Sequence, residues 1–367
     1  MNSEIVKTPG GEKNRETSAP KILEQLVRQA EQSGASDIHL QMRGKIAETA
    51  FRLDGVITPG AELDAEIAER VFGRVKFLAR LKTYQESLPQ DGRISRDELK
   101  SENDIRVATY PTVTGEKIVL RLFNSSSIKT LDEIEFPENA RAELKNFLRQ
   151  TSGLLLLTGP AGSGKTTTIY ACLRHLAELG GRHIITVEDP VEQIVSGTMQ
   201  TEINETIGLD FARAARHLLR QDPQVLIIGE IRDEATAQLA VRAGLTGHLV
   251  ISTLHAGSCK GVFERLLAMC ADHSAVASAI ELILNQRLIR KTCSACAGDG
   301  CEKCLRTGYC GRVPLVEWLR VDEKMREQIR QRELSALAPI QTLETSARSL
   351  VNAGVTNKAE FKRIFGL

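Results

Sequence analysis

The sequence predicts an α/β chain in which a small α+β domain precedes a parallel-sheet domain. Three observations carry this. The run Gly159-Pro160-Ala161-Gly162-Ser163-Gly164-Lys165-Thr166 fits the P-loop pattern G-x-x-x-x-G-K-[ST]. It lies between the apolar run Leu154 to Leu157 and a segment from Thr167 to Leu179 in which Ile169, Leu173 and Leu176 recur at helical spacing. Strand-like and helix-like segments then alternate, as a parallel sheet requires, whereas residues before the linker mix two helices with short alternating strands.

In chain order, residues 1–18 are polar and read as a disordered lead-in. Ile22, Leu23, Leu26, Val27 and Ala30 make one helical face, which Gly34 ends. Short strands follow, with Asp54-Gly55 as a hairpin turn, then a helix from about Asp64 to Lys82 and three more strands. The α+β domain spans 19–123 and a serine-rich linker 124–136. The P-loop domain spans 137–286, with strands at His183 to Val187, Val225 to Ile228 and His248 to Thr253. Residues 287–319 hold a cysteine cluster, and 320–367 read as mostly helical.

A formal net charge of +1 and an aromatic share of only 4% argue against a nucleic-acid groove. No apolar run approaches the roughly 18 residues of a membrane span, and no signal peptide is recognisable, so the expected compartment is the cytosol.

The glycine loop places backbone N–H groups and a helix N-terminus around phosphate oxygens. Gly159 to Thr166, with Thr167 on the following helix, are the expected nucleotide-binding residues. Lys165 neutralises the β- and γ-phosphates, and the Thr166 hydroxyl holds Mg²⁺. Hydrolysis also needs a carboxylate to activate water. Glu230 closes the apolar run Val225-Leu226-Ile227-Ile228-Gly229 and is long enough to reach past a metal to a water. Glu188 and Asp189 form a second acidic strand end, stopped by Pro190. Their two readings are water-mediated contact with Mg²⁺ and simple strand termination. His248 and His255 flank one strand, and an imidazole there can report nucleotide state or be structural. Arg93, Arg106 and Arg121 lie near strand ends of the first domain, where a guanidinium can reach phosphate or simply face water.

These runs form an ordered set. It comprises Gly34-Ala35-Ser36-Asp37-Ile38-His39-Leu40, Leu88-Pro89-Gln90-Asp91-Gly92-Arg93-Ile94 and Gly115-Glu116-Lys117-Ile118-Val119-Leu120-Arg121-Leu122. Ile185-Thr186-Val187-Glu188-Asp189-Pro190-Val191-Glu192, Gly229-Glu230-Ile231-Arg232-Asp233 and Ala243-Gly244-Leu245-Thr246-Gly247-His248 through His255-Ala256 complete it. The set resembles the ATPases of type II secretion and type IV pilus assembly, over about Lys21 to Leu319. The resemblance implies a PAS-like first lobe, a RecA-like second lobe and ATP between them. It implies that Arg93, Arg106 and Arg121 reach toward the phosphates and that Glu230 is the catalytic carboxylate. It also implies a homo-hexamer, peripheral to the inner membrane, that drives pilin or pseudopilin assembly through a membrane platform protein. The chain reads as a short form without the additional N-terminal domain of larger members. DNA-uptake and pilus-retraction ATPases share the core and are the alternative reading. A GTPase switch is disfavoured, because the nearest match to N-K-x-D, Asn357-Lys358-Ala359-Glu360, lacks the aspartate.

Cys293-x-x-Cys296 and Cys301-x-x-Cys304 are two knuckles, and four thiolates at this spacing make a tetrahedral Zn²⁺ site. Their glycines give them a likeness to the zinc knuckles of DnaJ-type chaperones. Only Ala297 to Gly300 separates the pairs, so free thiols or disulfides are the alternatives.

Overall fold

The computed structural model describes residues 18–122 and 129–366. The expected lead-in, apart from Ser18, and the start of the expected linker lie outside these residues. The chain divides into two compact units: the residues up to 122 together with Cys293–Gly311, and the remainder.

In the first unit the order is α1 (Ala19–Ser33), β1 (Asp37–Arg43), β2 (Ile46–Leu53), β3 (Val56–Asp64), α2 (Ala65–Leu78), β4 (Gln90–Ile94), α3 (Arg96–Leu99), β5 (Ile105–Thr112) and β6 (Gly115–Leu122). The strands form one sheet in the order β3-β2-β1-β6-β5-β4, antiparallel throughout. One sheet face packs on α1 and α2 through Leu23, Val27, Ile38, Leu40, Val71, Val75, Ile105 and Leu120. The alternation of buried and exposed residues along β5 and β6 follows from that one-sided core. The β2–β3 turn uses Asp54 (φ +49°) and Gly55 (φ +84°), the positive pair a two-residue hairpin needs. Helix α2 stops at Leu78, short of the expected Lys82, because Arg80 turns left-handed (φ +58°).

The second unit continues with α4 (Glu138–Leu148), β7 (Gly153–Thr158), α5 (Lys165–Leu179), β8 (Ile184–Glu188), β9 (Met199–Glu202), α6 (Phe211–Leu218), β10 (Val225–Ile228), α7 (Glu234–Leu245) and β11 (Leu249–Leu254). It ends with α8 (Cys259–Met269), α9 (His273–Ala279), β12 (Ile280–Thr292), β13 (Tyr309–Arg320), α10 (Glu323–Arg330), α11 (Leu343–Asn352) and α12 (Lys358–Phe365). The sheet order is β13-β12-β7-β11-β10-β8-β9, and every pair from β12 to β9 is parallel.

The uninterrupted apolar runs are explained by burial on both sheet faces. Leu154 and Leu156 of β7 enter one core, and Leu155 and Leu157 enter the other. Ile185 and Val187, Leu226 and Ile228, and Val250 and Leu254 join the first core. Val225, Ile227, Leu249 and Ile251 join the second. Each such side chain contributes about 1.5–3 kcal/mol by burial, so the carboxyl ends of these strands are a stiff platform.

Candidate active site

Loops leaving the carboxyl ends of β7, β8, β10 and β11 converge. From β7 the chain turns through Gly159 (φ +130°), Gly162 (φ +73°) and Gly164 (φ +93°) before α5 begins at Lys165. Gly159 is fixed by packing as well as by conformation, because a Cβ there would lie 2.2 Å from the Gln286 carbonyl oxygen. Gly162 meets nothing within 4 Å, so only its positive φ demands glycine. Pro160 and Ala161 are exposed at the loop tip, whereas Ser163 is buried. Thr166 and Thr167 are exposed on the first turn of α5, whose N-terminus has no side-chain cap. The Lys165 ammonium bends back to the carbonyls of Gly159 (2.8 Å) and Pro160 (2.9 Å). Burial pushes its pKa below the ordinary lysine value, against the opposing charge of Glu230.

Glu230 is held by its neighbours on both sides. The Thr253 hydroxyl of β11 donates to the Gly229 carbonyl (2.8 Å), and the Thr253 carbonyl accepts from Ile231 N–H (2.8 Å). Gly229 N–H donates to Val187 of β8 (2.8 Å). Asp233 caps α7, accepting from the Thr236 N–H (2.8 Å) and hydroxyl (3.1 Å). The Glu230 carboxylate, one-fifth exposed, meets Arg232 through Oε1 and lies 3.7 Å from His255 Nε2 through Oε2. Arg232 also approaches Asp189 (3.6 Å) and rests over the Phe211 ring, 5.9 Å from its centroid. The hydrogen bond that Arg232 donates to Glu230 raises its pKa above the ordinary arginine value.

Glu188 and Asp189 are adjacent but differently placed. Asp189 is half-exposed. Glu188 is buried, and its carboxylate accepts from the Tyr170 hydroxyl, from Thr186 Oγ1 (2.5 Å) and from Gln200 Nε2 (3.0 Å). His255 follows β11, and Thr158 pins the next residue by exchanging hydrogen bonds with Ala256 (2.8 and 3.0 Å). His248 precedes β11 and contacts the Ala243 carbonyl (3.1 Å). It therefore lies at the opposite end of a six-residue strand, roughly 20 Å away. The structure brings Lys165, Asp189, Glu230 and His255 together, leaves His248 apart, and adds Arg232 and Tyr170.

Arg93, Arg106 and Arg121 lie in the first unit, in one cross-strand row. Arg93 opposes Arg106, Arg106 opposes Arg121, Arg121 opposes Asp37, and Asp37 opposes Arg52. All three named arginines are exposed, on the sheet face away from the helices. Asp37 is buried and holds Arg121 (2.9 Å) and Arg52 (3.2 Å), while Arg93 pairs with Asp104. Burial pushes Asp37 up, but the Ser36 hydrogen bond and the two guanidinium groups outweigh it and lower its pKa.

Cys293, Cys296, Cys301 and Cys304 place their sulfurs within 4.8 Å of one another. Three of the separations are 4.0, 3.9 and 3.7 Å. A tetrahedron of thiolates at ~2.3 Å from zinc has edges of about 3.8 Å, so the donor set fits. Gly300 N–H donates to Cys296 Sγ and Cys301 N–H to Cys304 Sγ, both at 3.2 Å, as thiolates in a metal site require. The short separation is possible because the knuckles cross at glycine. A Cβ at Gly308 would sit 2.3 Å from the Gly298 carbonyl oxygen. Cys310 is exposed and outside this cluster, and Cys172, Cys259 and Cys270 are buried.

The chain matches the family described as Type II/IV secretion system protein over residues 12–363. It is 37% identical over 346 residues to the putative type II secretion system protein E of Escherichia coli K12, covering 87% of this chain and 70% of that protein. It is 36% identical over 342 residues to the type IV pilus assembly ATPase PilB of Thermus thermophilus, covering 86% of this chain and 38% of that one. The solved structure of the pilus retraction motor PilT with bound ADP superposes with a TM-score of 0.66 at 26% identity, over 93% of this chain and 96% of that chain. The Legionella pneumophila ATPase DotB shares the fold, with a TM-score of 0.71 at 20% identity over 95% and 96% of the two chains. A P-loop beside a strand-end glutamate, in a chain matched almost end to end, leads to one assignment: this protein belongs to the type II/IV secretion system protein family, the secretion and pilus motor ATPases.

Proposed function

We propose that the chain hydrolyses ATP with Mg²⁺ and that turnover drives pilin or pseudopilin assembly. The carrying observation is the meeting of Lys165, Asp189, Glu230 and His255 at the ends of four adjacent parallel strands. Backbone N–H groups of the glycine loop and the first turn of α5 bind the phosphates, and Lys165 exchanges its loop carbonyls for phosphate oxygens. Thr166 would hold Mg²⁺, which would supply positive charge against the terminal phosphates. Glu230 takes the proton of the attacking water. Arg93, Arg106 and Arg121 supply further cations from a first lobe of PAS-like type, and closure of the lobes in a homo-hexamer is the working stroke. The four cysteines hold a structural Zn²⁺. The motor sits in the cytoplasm against an inner-membrane platform protein. The 34–37% identity to type II secretion and pilus-assembly relatives supports assembly, whereas the PilT superposition supports retraction as the second reading.

The test is phosphate release by the full chain. Lys165→Ala is expected to abolish turnover. Glu230→Gln is expected to bind ATP while turnover falls at least roughly a hundredfold. Wild-type turnover in Glu230→Gln would sink the assignment of the base.

A further inference from the structure

We propose that Arg232 is a positioning residue whose guanidinium ties down Oε1 of Glu230 and leaves Oε2 as the oxygen that receives the proton of water. The inference rests on Glu230 being the base. The water proton passes to Oε2, and the freed electron pair forms the bond to the terminal phosphorus. The bond to the leaving ADP oxygen then breaks, taking its pair to that oxygen.

Four observations support it. First, the two carboxylate oxygens have different partners: Arg232 Nη2 on Oε1, and His255 Nε2 at 3.7 Å from Oε2, beyond hydrogen-bond distance. Second, Ile231 is buried while the residues on either side, Glu230 and Arg232, reach outward, so the backbone presents the pair together. Third, the guanidinium is itself fixed, by Asp189 at 3.6 Å and by the Phe211 ring of α6. Fourth, two acidic strand ends converge on it, and without a cation between them Glu230 and Asp189 would repel. An ion pair whose arginine is half open to water contributes little to stability, so the bridge is better explained by what it does to Glu230.

The charged groups around Glu230 come from every neighbouring element. They are Lys165 at the start of α5, Asp189 after β8, His255 after β11 and Arg232 on its own loop, with Glu205 acting on Arg232. Arg232 is the nearest cation, so its removal is the sharpest perturbation. Lysine keeps the charge but lacks the planar fork that meets Oε1, Asp189 and the ring together.

The experiment measures kcat and KM for Mg·ATP in the wild type, Arg232→Gln, Arg232→Lys and Glu230→Gln, with the thermal midpoint of each. Arg232→Gln is expected to lower kcat roughly tenfold with KM nearly unchanged. Arg232→Lys should restore part but not the whole of kcat, with all midpoints unchanged. Three results would overturn the proposal. Arg232→Gln with wild-type kcat, while Glu230→Gln is inactive, defeats the role of Arg232 alone. A change confined to KM makes Arg232 a substrate-binding group. Wild-type turnover in Glu230→Gln defeats the base and, with it, this inference.

Discussion

The phenol of Tyr170 donates its proton to Glu188, so the P-loop helix and the acidic end of β8 share one buried hydrogen bond. The same oxygen accepts N–H bonds from Glu192 (2.9 Å) and Gln193 (3.2 Å). Burial and the Glu188 hydrogen bond raise the phenol pKa, so it stays protonated over the whole working range. Tyr170 therefore clasps the segment that carries Asp189.

Replacing Tyr170 by phenylalanine removes one donor from a buried carboxylate and one acceptor from two backbone amides. The expected cost is about 1–3 kcal/mol, with faster hydrogen exchange at the Glu192 and Gln193 amides and slower ATP turnover. Wild-type exchange at those amides would show that the clasp is idle.

A second clasp holds the end of the chain. Glu360 has a fully buried side chain that accepts from Arg290 (2.7 and 3.0 Å) and Arg363 (both 2.7 Å). Burial raises its pKa, but the Arg363 and Arg290 hydrogen bonds prevail and hold it at about 2. A folded-state pKa below the unfolded one stabilises above the ordinary value of 4.5, and the contribution is lost as pH falls from there toward about 2. Glu360→Gln, which strands the partly buried Arg290, is expected to cost about 3 kcal/mol at neutral pH, or roughly 6–12 °C in the second unit's thermal midpoint. The gap from wild type should close as the pH approaches 2, and a gap independent of pH would contradict the ionic origin.

The cysteine cluster predicts one zinc per chain by elemental analysis. Cys304→Ser should lose most of it and lower the thermal stability of the first unit, and a strong chelator should do the same to the wild type. Cys310→Ser should leave the stoichiometry unchanged, since its thiol stands outside the cluster. Full zinc in Cys304→Ser would mean that the tetrathiolate reading is wrong.

Much of the fold was legible because burial on two faces writes itself as unbroken apolar runs, as in Leu154 to Leu157. Edge strand β9 was not, since Met199–Glu202 is largely exposed and shows no apolar alternation. β12 also escaped notice, because polar Asn285 and Gln286 interrupt its apolar run, although both are buried. The P-loop and Glu230 could be read from a motif at a strand end. The arginine row could not, because facing positions on four strands depend on register. Arg232 was visible only as a letter in a longer run, yet a cation two residues beyond a strand-end glutamate, with a second acidic strand end in the same chain, was a usable signal. Tyr170 lies on the buried face of α5, and its hydroxyl partners come from segments far along the chain, which no local pattern reveals.

The grouping of Cys293–Gly311 with the first unit has a consequence for heredity and for dissection of the gene. Leu305 packs against the first unit's core, and Gly311 N–H donates to Asp54 at 2.8 Å. A fragment cut after β6 would lack this wedge, and its Asp54 turn would face water. Recombination that swaps only the leading third of the chain would pair one parent's turn with the other parent's knuckle. The two stretches, far apart in the reading frame, are expected to be inherited and to change together.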